Sequence, residues 1–449
     1  MRRERLTASD AERLQARIAG GLRNRGVSVG DRVAFVCPNS VELLCGILGA
    51  ARVGIAPVPM NPALLDEERA VIIDNAEPAL IVGPSELAEL VDGPPTELAP
   101  APLVRPMHYT SGTTGTPKGV WSGVLDEGEA LALQNDESDV WAFDAHDVFL
   151  ACSPLYHSAP LRFSLGTLLA GGDVVVLDRF DADAVVHAIA EERPTLSFMV
   201  PAHLQRLFAH GSLPELTSFR RLVHAGAPCP VPIKEAALAA FPDRTVWEFY
   251  GSTEGQFTVC PPEEWRAHPG TVGRARPRRR LEIDDDGQIW CHVPSFARFE
   301  YWRDPERTRL AWRGDAFTAG DLGHLDDDGF LFIDSRRDDL IISGGVNVYP
   351  AEVENVLSSL SGVEDVAIFG APDERWGQRV CAAIVGDVGA DAVIEHARAH
   401  LAAYKCPKDV YFIDDLPRTG SGKVRRSRLA RSLLEDVDGP GDHQQHQQD

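Results

Sequence analysis

The chain has 449 residues, of which 44% are hydrophobic, and this length predicts two or three domains with a large buried interior. Its formal net charge of −23 is spread along the sequence, which argues against a nucleic-acid partner. The eight cysteines show no C-x-x-C pair or zinc spacing, so we expect reduced thiols. The first residues lack an apolar signal segment, and no apolar run has the length of a membrane helix. We therefore expect no membrane insertion and a cytoplasmic location.

The first part of the chain alternates helical patterns with short apolar runs. Leu14, Ile18 and Leu22 recur at helical spacing. The elements that follow are a strand at 33–36, a helix at 41–53, a strand at 55–58, a helix at 64–75 and a strand at 79–82. Such alternation predicts parallel sheets covered on both faces.

A stretch rich in Pro, Ala and Glu, residues 83–106, is interpreted as a loop or linker, and the helix–strand alternation then resumes. Strands are predicted at 148–151, 173–177, 195–200 and 222–224, with a helix at 181–192. These elements predict a second doubly wound unit. Residues 270–305 alternate like β-strands with Gly and Pro breaks, which indicates a small barrel or meander.

A charged run at 334–339 separates two apolar strands and is interpreted as a domain boundary. The roughly 100 residues that follow it are enough for a separate domain. There we predict a helix at 351–360, strands at 366–369 and 380–385, a helix at 392–402 and a strand at 410–413. The predicted fold class is α/β: a large N-terminal domain of two doubly wound sheets plus a small β-barrel, residues 1–337, with a mobile α+β C-terminal domain, residues 338–437. The polar tail 438–449 is expected to be disordered.

A loop dense in Gly and Thr, residues 109–120, carries the strongest chemical signal. Its main-chain N–H groups, its hydroxyls and Lys118 suit a phosphate. It is not a Walker A loop, because Pro117 stands where that motif needs glycine. The alternative is a polar surface loop after a buried strand.

Together with this loop, four later stretches resemble the adenylate-forming superfamily of acyl-CoA synthetases, luciferases and peptide-synthetase adenylation domains. They are residues 247–255, 318–323, 336–354 and 417–423. Within the superfamily, residues 343–354 most resemble CoA ligases. Residues 154–163 and 264–270 resemble the branch that activates bile acids, steroid side chains and similar bulky carboxylates.

The resemblance implies two steps. A carboxylate oxygen attacks the α-phosphate of ATP to give an acyl-adenylate and pyrophosphate, and the thiol of coenzyme A then displaces AMP. Lys423 would bridge the carboxylate and the α-phosphate, Glu254 would hold Mg²⁺, and Thr253 would contact phosphate. The β- and γ-phosphates would lie against the loop residues Ser111, Gly112, Thr113, Thr114, Gly115, Thr116 and Lys118.

The same resemblance assigns the nucleoside. Tyr250 would stack on adenine, Asp321 would accept hydrogen bonds from the ribose hydroxyls, and Arg336 would add a ribose contact. The remaining nucleotide-binding positions are Ala225, Gly226, Ala227, Glu248, Phe249 and Gly251. Taken alone, Tyr250 and Asp321 are also explained as a core aromatic and a turn aspartate.

The second step has its own implied residues. Asp338 matches the hinge about which the small domain rotates between adenylating and thioester-forming poses, and Gly344 and Gly345 would line the pantetheine tunnel. His157 resembles the gate between acyl pocket and tunnel, although a packed core histidine is the alternative. The acyl pocket is placed at Phe163, Trp247 and Gly251, with small neighbours that leave space for a bulky ligand.

The sequence departs from the family pattern in several places. We expect the family's opening β-segment to be missing, and the link at 83–106 and the segment at 276–293 are shorter than is usual in the family. Two stretches also differ in residue type, because Trp121-Ser122-Gly123 stands where the family has Thr-His and Ala319 where it generally has Thr. Two alternatives to the full ligase therefore stay open. One is a half-enzyme that transfers to CoA the acyl group of an acyl-adenylate made by a separate adenylating enzyme, and the other is a degenerate adenylate-binding protein. The acid and a homodimer are also left open.

Overall fold

The computed structural model describes residues 2–111, 117–226, 229, 231–285, 287–335, 341–348, 350–417, 424 and 426–435. Its helices are α1 (Ala8–Asn24), α2 (Val41–Arg52), α3 (Asp66–Ala76), α4 (Pro84–Leu90), α5 (Glu127–Trp141), α6 (Ser158–Leu169), α7 (Ala182–Glu192), α8 (Pro201–Ala209), α9 (Val231–Ala240), α10 (Pro262–Ala267), α11 (Pro305–Ala311), α12 (Pro350–Leu357), α13 (Ala390–His400) and α14 (Arg426–Glu435).

The strands are β1 (Arg3–Leu6), β2 (Arg32–Phe35), β3 (Ala56–Pro59), β4 (Leu80–Val82), β5 (Tyr109–Ser111), β6 (Pro117–Trp121), β7 (Val148–Ala151), β8 (Asp173–Leu177), β9 (Leu196–Met199), β10 (Arg221–His224), β11 (Val246–Glu248), β12 (Thr258–Val259), β13 (Arg274–Ala275), β14 (Arg280–Ile283), β15 (Ile289–His292), β16 (Glu300–Tyr301), β17 (Trp312–Arg313), β18 (Ala316–Phe317), β19 (Leu322–Leu325), β20 (Leu331–Ser335), β21 (Ile341–Ser343), β22 (Val346–Val348), β23 (Val363–Asp373), β24 (Gly377–Gly386) and β25 (Asp409–Phe412).

The chain divides into two compact units, Met1–Thr110 with Pro117–Arg336, and Ser111–Thr116 with Arg337–Asp449. The first unit is organised on a six-stranded sheet with the order β1-β8-β7-β9-β10-β11, in which all pairs except β1 with β8 are parallel. Successive strand residues alternate between two apolar cores. Val174 and Val176 face one core, and Val175 and Leu177 face the other. Both faces of the sheet are therefore buried, as the continuous apolar runs predicted.

Strand β1 corrects the expectation that the opening β-segment is missing. It pairs antiparallel with β8, with Arg3 opposite Leu177. Its sequence Arg-Glu-Arg-Leu carries a single apolar residue, so hydrophobic alternation could not reveal it. Ion pairs hold the strand instead, with Arg5 Nη2 2.8 Å from Asp173 Oδ2 and Arg3 Nε 3.2 Å from Glu192 Oε1.

The 83–106 stretch is likewise not only a loop, because it contains α4. Proline at the first helical position and the Glu86 carboxylate, which accepts from the Gly83 N–H at 3.0 Å, start this helix, and Leu87 and Leu90 are buried. The helix covers α1 and α2 beside the parallel three-stranded sheet β3-β2-β4.

The region predicted to be a small barrel forms short antiparallel sheets. The largest has the order β14-β15-β18-β17, and β12-β13 and β19-β20 are separate pairs. Phe257, Cys291, Phe299 and Phe317 form their common core. This core supports the carboxyl-terminal side of the six-stranded sheet, because Tyr250 also belongs to it.

The second unit is an α+β module with the sheet order β22-β21-β24-β23 and β25 parallel to β24. Val353, Ile368, Val380 and Val393 form one core. Strands β23 and β24 are longer than predicted, because the sequence interpretation recognised only their apolar centres and their ends are polar. In the part of the chain that is described, no helix is long and apolar enough to cross a membrane.

Gly20 allows the segment after α4 to lie directly on α1. A Cβ at this position would lie 1.8 Å from the carbonyl oxygen of Pro94. Alanine usually stabilises a helix interior by about 0.5–1 kcal/mol relative to glycine. Gly20→Ala should instead lower the free energy of unfolding, by about 1–3 kcal/mol, because the added methyl overpacks this contact.

Thermal unfolding of purified protein measures this effect. Gly128→Ala is the matched control, because Gly128 also lies in a helix of the first unit and a Cβ there meets only the Asp126 carboxylate, at 3.2 Å. Equal midpoints for Gly20→Ala and Gly128→Ala would contradict the described packing.

Candidate active site

The carboxyl ends of β10 and β11 bring several predicted nucleotide-binding residues to one edge of the sheet. These strands are parallel, with His224 opposite Glu248. Ala225 and Gly226 follow one strand and Phe249 follows the other, and the Phe249 N–H donates to the His224 carbonyl at 3.2 Å. In open α/β sheets, ligands bind outside this edge.

The residues predicted to contact adenine and ribose touch each other. The Tyr250 hydroxyl donates to Asp321 Oδ2 at 2.5 Å, and the Tyr250 ring packs on Phe257 with centroids 4.9 Å apart. Gly251 begins a tight turn in which the Ser252 N–H donates to the Gly255 carbonyl at 2.9 Å. A Cβ on Gly251 would lie 2.7 Å from that carbonyl oxygen, so the turn requires glycine there.

Thr253 and Glu254 lie in this turn, where Arg105 holds their main chain. Arg105 Nη2 donates to the carbonyls of Thr253 at 3.2 Å and Glu254 at 3.1 Å. The sequence interpretation missed Arg105, because it lies in the stretch interpreted as a linker. No local signal distinguished it.

The Glu254 carboxylate is buried in an ion pair with Lys118. Lys118 Nζ lies 2.8 Å from Glu254 Oε1 and 2.8 Å from the Tyr301 oxygen, and the Tyr301 hydroxyl donates to the same Oε1 at 2.7 Å. The Lys118 ammonium also lies 4.2 Å from the centroid of the Tyr301 ring. Tyr301 was not predicted. It reaches the site because β16 pairs with β6, which places Tyr301 opposite Val120.

This arrangement fits the metal that the resemblance implies. Burial alone would raise the pKa of the Glu254 carboxyl, but the charge of Lys118 and the hydrogen bonds from Lys118 and Tyr301 lower it to about 2. Glu254 is therefore an anionic oxygen donor at neutral pH. Mg²⁺ commonly takes one or two carboxylates and completes its shell with water and substrate phosphates. One carboxylate suffices for such a site.

Glu248 uses its carboxylate elsewhere. Lys234 Nζ donates to Glu248 Oε2 at 3.0 Å and lies 2.6 Å from His224 Nε2, and all three side chains are buried. Burial and, next, the charge of Lys234 keep the pKa of His224 well below its ordinary value. The Glu248 main chain is also engaged, because its N–H donates to the Cys260 carbonyl at 2.9 Å and its carbonyl accepts from the Cys260 N–H at 2.8 Å.

Two of the predicted acyl-pocket residues pack in an aromatic cluster. The Phe163 ring is 1% exposed and lies 5.0 Å from Trp141 and 5.9 Å from Phe198, measured between centroids. Trp247 lies 6.3 Å from Trp141. These rings form the core between α5, α6 and the sheet, whereas Gly251 lies at the turn beside Tyr250.

The predicted gate residue His157 precedes α6 and is exposed, with its ring centroid 4.6 Å from that of Tyr156. Gly344 and Gly345 form the turn between β21 and β22 in the second unit, with φ values of 60° and 81°. A Cβ on Gly344 would lie 2.7 Å from the Trp376 ring, which explains the need for glycine at this turn.

Several predicted residues lie outside the described part of the chain. They are Gly112, Thr113, Thr114, Gly115, Thr116, Ala227, Arg336, Asp338 and Lys423. Ser111 is described as the last residue of β5. The roles assigned to these residues stay predictions.

The Lys118–Glu254 pair makes the stability of the protein depend on pH in a defined way. The folded pKa of Glu254, about 2, lies below its ordinary value of 4.5, so the pair stabilises the fold above pH 4.5 and this contribution is lost as the pH falls toward 2. Lys118→Met leaves a buried, uncompensated carboxylate and should lower the free energy of unfolding at neutral pH by about 3–5 kcal/mol.

In Lys118→Met, burial should raise the pKa of Glu254 above 4.5. The deficit relative to the unsubstituted protein should therefore shrink as the pH falls from neutral toward 4.5. Thermal unfolding at a series of pH values measures it, with Lys118→Arg as the charge-preserving control. A deficit that does not change with pH would show that Glu254 is not held by this charge.

Comparisons with known proteins identify the family of this chain. The family model described as AMP-binding enzyme matches residues 1–105 and 104–295, and the model described as AMP-binding enzyme C-terminal domain matches residues 352–423. A 2-succinylbenzoate–CoA ligase of Geobacillus sp. (strain WCH70) is 33% identical over 93% of this chain and 91% of its own length. A feruloyl-CoA synthase of Amycolatopsis sp is 35% identical over 95% of this chain and 94% of its own.

Among solved structures, a double mutant of the o-succinylbenzoate CoA synthetase MenE of Bacillus subtilis matches with a TM-score of 0.84 at 27% identity, covering 94% of this chain and 93% of that one. These matches confirm the predicted fold class. They also confirm the predicted enzyme class, an AMP-forming acid–thiol ligase that uses ATP, Mg²⁺ and coenzyme A. The chain belongs to the AMP-binding enzyme family, within the adenylate-forming superfamily.

Proposed function

We propose that this protein is an acyl-CoA synthetase that activates a bulky carboxylic acid through an acyl-adenylate. The observation that carries this proposal is the ion pair of Lys118 with Glu254, located beside the Tyr250–Asp321 contact at the carboxyl edge of the sheet. Adenylation requires a cation for phosphate, an anionic metal ligand, and an aromatic and an acidic side chain that contact the nucleoside.

In the first step, the acid's carboxylate oxygen bonds to the α-phosphorus of ATP and the bond to pyrophosphate breaks. Lys118 offsets charge on the departing phosphates, and Asp321 and Tyr250 orient the nucleoside. Glu254 would hold Mg²⁺, which supplies charge neutralisation at the phosphates when it is bound. In the second step, the CoA sulfur bonds to the acyl carbon and AMP leaves with the shared oxygen.

Lys118 would change partners when the ligands bind. Its ammonium would pair with a phosphate oxygen, and the Glu254 carboxylate would then be available to hold the metal. Both charges therefore remain compensated before and after the nucleotide binds, which limits the desolvation cost of the exchange. Arg105 keeps the Glu254 main chain fixed while its side chain changes partner.

The class of acid is proposed from local sequence similarity and from the names of relatives. Residues 154–163 resemble the branch that activates bile acids and steroid side chains, whereas the compared relatives are named for 2-succinylbenzoate and ferulate. We favour a bulky acid with at least one ring and place polycyclic terpenoid and steroid-like acids first. A cytoplasmic location, a homodimer and a separate adenylating enzyme stay predictions.

Carboxylate-dependent exchange of pyrophosphate into ATP tests the adenylation step. Robust exchange is expected, because strand β1 is present and its expected absence was one reason for the half-enzyme alternative. Lys423→Ala should abolish exchange while retaining most thioester formation from a synthetic acyl-adenylate. If exchange is absent but the synthetic adenylate still yields acyl-CoA, the half-enzyme alternative holds. Tight adenylate binding without thioester would instead show a degenerate binding protein.

A screen of carboxylic acids tests the substrate class by measuring CoA consumption. Steroid and polycyclic terpenoid acids should give higher kcat/KM than straight-chain fatty acids of equal carbon number. Aryl acids such as 2-succinylbenzoate and ferulate complete the panel. A preference for straight-chain acids would contradict the proposed class of substrate and would leave the proposed adenylation mechanism unaffected.

A further inference from the structure

A cavity of about 110 Å³ lies inside the first unit, between α5, α6 and the small antiparallel sheets. Its apolar wall includes Leu133, Leu165 and Phe317. None of His157, Ala225, Tyr250 or Asp321 lines it, whereas Glu254 and Gly255 form part of its wall. The cavity is therefore distinct from the proposed nucleoside and gate positions but adjoins the turn that carries Glu254.

The polar wall of this cavity is unusually cationic. Arg105, Arg162, Arg276 and Arg279 all line it. Two carboxylates compensate them, because Asp136 pairs with Arg276 and Arg279, each at 2.9 Å, and Glu137 pairs with Arg162 at 2.8 Å and with Arg276 at 3.0 Å. Glu254 also lines the cavity, but its carboxylate is paired with Lys118. The wall thus carries more positive than negative charge.

Arg105 adds a charge that no direct ion pair offsets. Within the described residues its guanidinium forms no ion pair, and its side chain donates through Nη2 to the two main-chain carbonyls of the Glu254 turn. Burial and, next, the charge of Arg162 lower the pKa of Arg105 to about 10, against the opposing effect of the Glu137 and Glu254 carboxylates. Arg162 shares its Nη2 between Glu137 and Gln256, each at 2.8 Å. The excess of guanidinium over carboxylate groups makes the cavity complementary to an anion.

We propose that this cavity is a binding site for a small organic carboxylate. Its carboxylate would accept hydrogen bonds from Arg105 and Arg162, and its apolar body would lie against Leu133 and Leu165. Arginine binds carboxylates with paired, charge-assisted hydrogen bonds. A cavity of about 150 Å³ holds benzene, so this smaller one accommodates a short-chain carboxylate such as butyrate.

The ligand has two sources with the same chemistry. It is either a separate small carboxylate or the distal carboxylate of an acid that is being activated. In both cases it would reinforce Arg105, which fixes the main chain of Thr253 and Glu254. Occupancy would therefore stabilise the turn on which the proposed metal ligand is carried.

Titration of the full chain with butyrate, in the absence of ATP and CoA, tests the site, with butyramide as the uncharged isostere. Butyrate should raise the thermal midpoint in a saturable manner and butyramide should not. Leu133→Trp fills the cavity and Arg105→Gln removes the charge, so both should abolish the butyrate effect. Leu131→Trp is the matched control, because Leu131 is 40% exposed on the same helix and should leave the effect intact.

No butyrate stabilisation, butyrate stabilisation that survives Leu133→Trp, or equal stabilisation by butyramide would overturn the proposal. Leu133→Trp retains Arg105, so the proposal can still be tested with this variant if Arg105→Gln does not fold. Because the titration needs no turnover, its result is also independent of whether the protein makes an adenylate.

Repetition of the butyrate titration with non-hydrolysable acyl-adenylates separates the two sources. If only the adenylate of a dicarboxylic acid displaces butyrate, the cavity receives the distal carboxylate of the acid being activated. If butyrate binds alongside adenylates of both monocarboxylic and dicarboxylic acids, the ligand is a separate molecule.

Discussion

The buried pair of Lys118 and Glu254 is the interaction on which the site depends. Each charge alone would be unfavourable in this environment, and together with the Tyr301 hydroxyl they are compensated. The pair joins β6, the strand after the Gly/Thr-rich loop, to the turn after β11. It therefore fixes the predicted phosphate cation next to the predicted metal ligand before any nucleotide is present.

The surrounding structure serves to hold these two segments together. Parallel strands β10 and β11 place residues 224–226 and 248–251 at one edge, and the core of the small sheets anchors Tyr250 from the other side. Arg105 and Gly251 shape the turn between them. The buried ion pair of Lys234 with Glu248 joins α9 to β11. It holds the end of this strand in place and leaves the Glu248 carboxylate occupied.

Most of the fold and part of the site could be predicted from the sequence. Buried parallel strands are continuous apolar runs, so β7 to β10 were recognisable, whereas β1 has one apolar residue in four and is held by ion pairs that a local pattern does not show. Arg105 and Tyr301 were missed for a related reason. Their partners lie more than a hundred residues away, at separations of 148 for Arg105 to Thr253 and 183 for Lys118 to Tyr301, so only the tertiary fold brings them together.

A structure of the protein with Mg²⁺ and a non-hydrolysable ATP analogue tests the central claim most directly. The account predicts that Lys118 Nζ leaves Glu254 for a phosphate oxygen, that the Glu254 carboxylate coordinates Mg²⁺, and that Tyr250 and Asp321 contact the nucleoside. A bound nucleotide with the Lys118–Glu254 pair still closed, and with Mg²⁺ on other ligands, would contradict it.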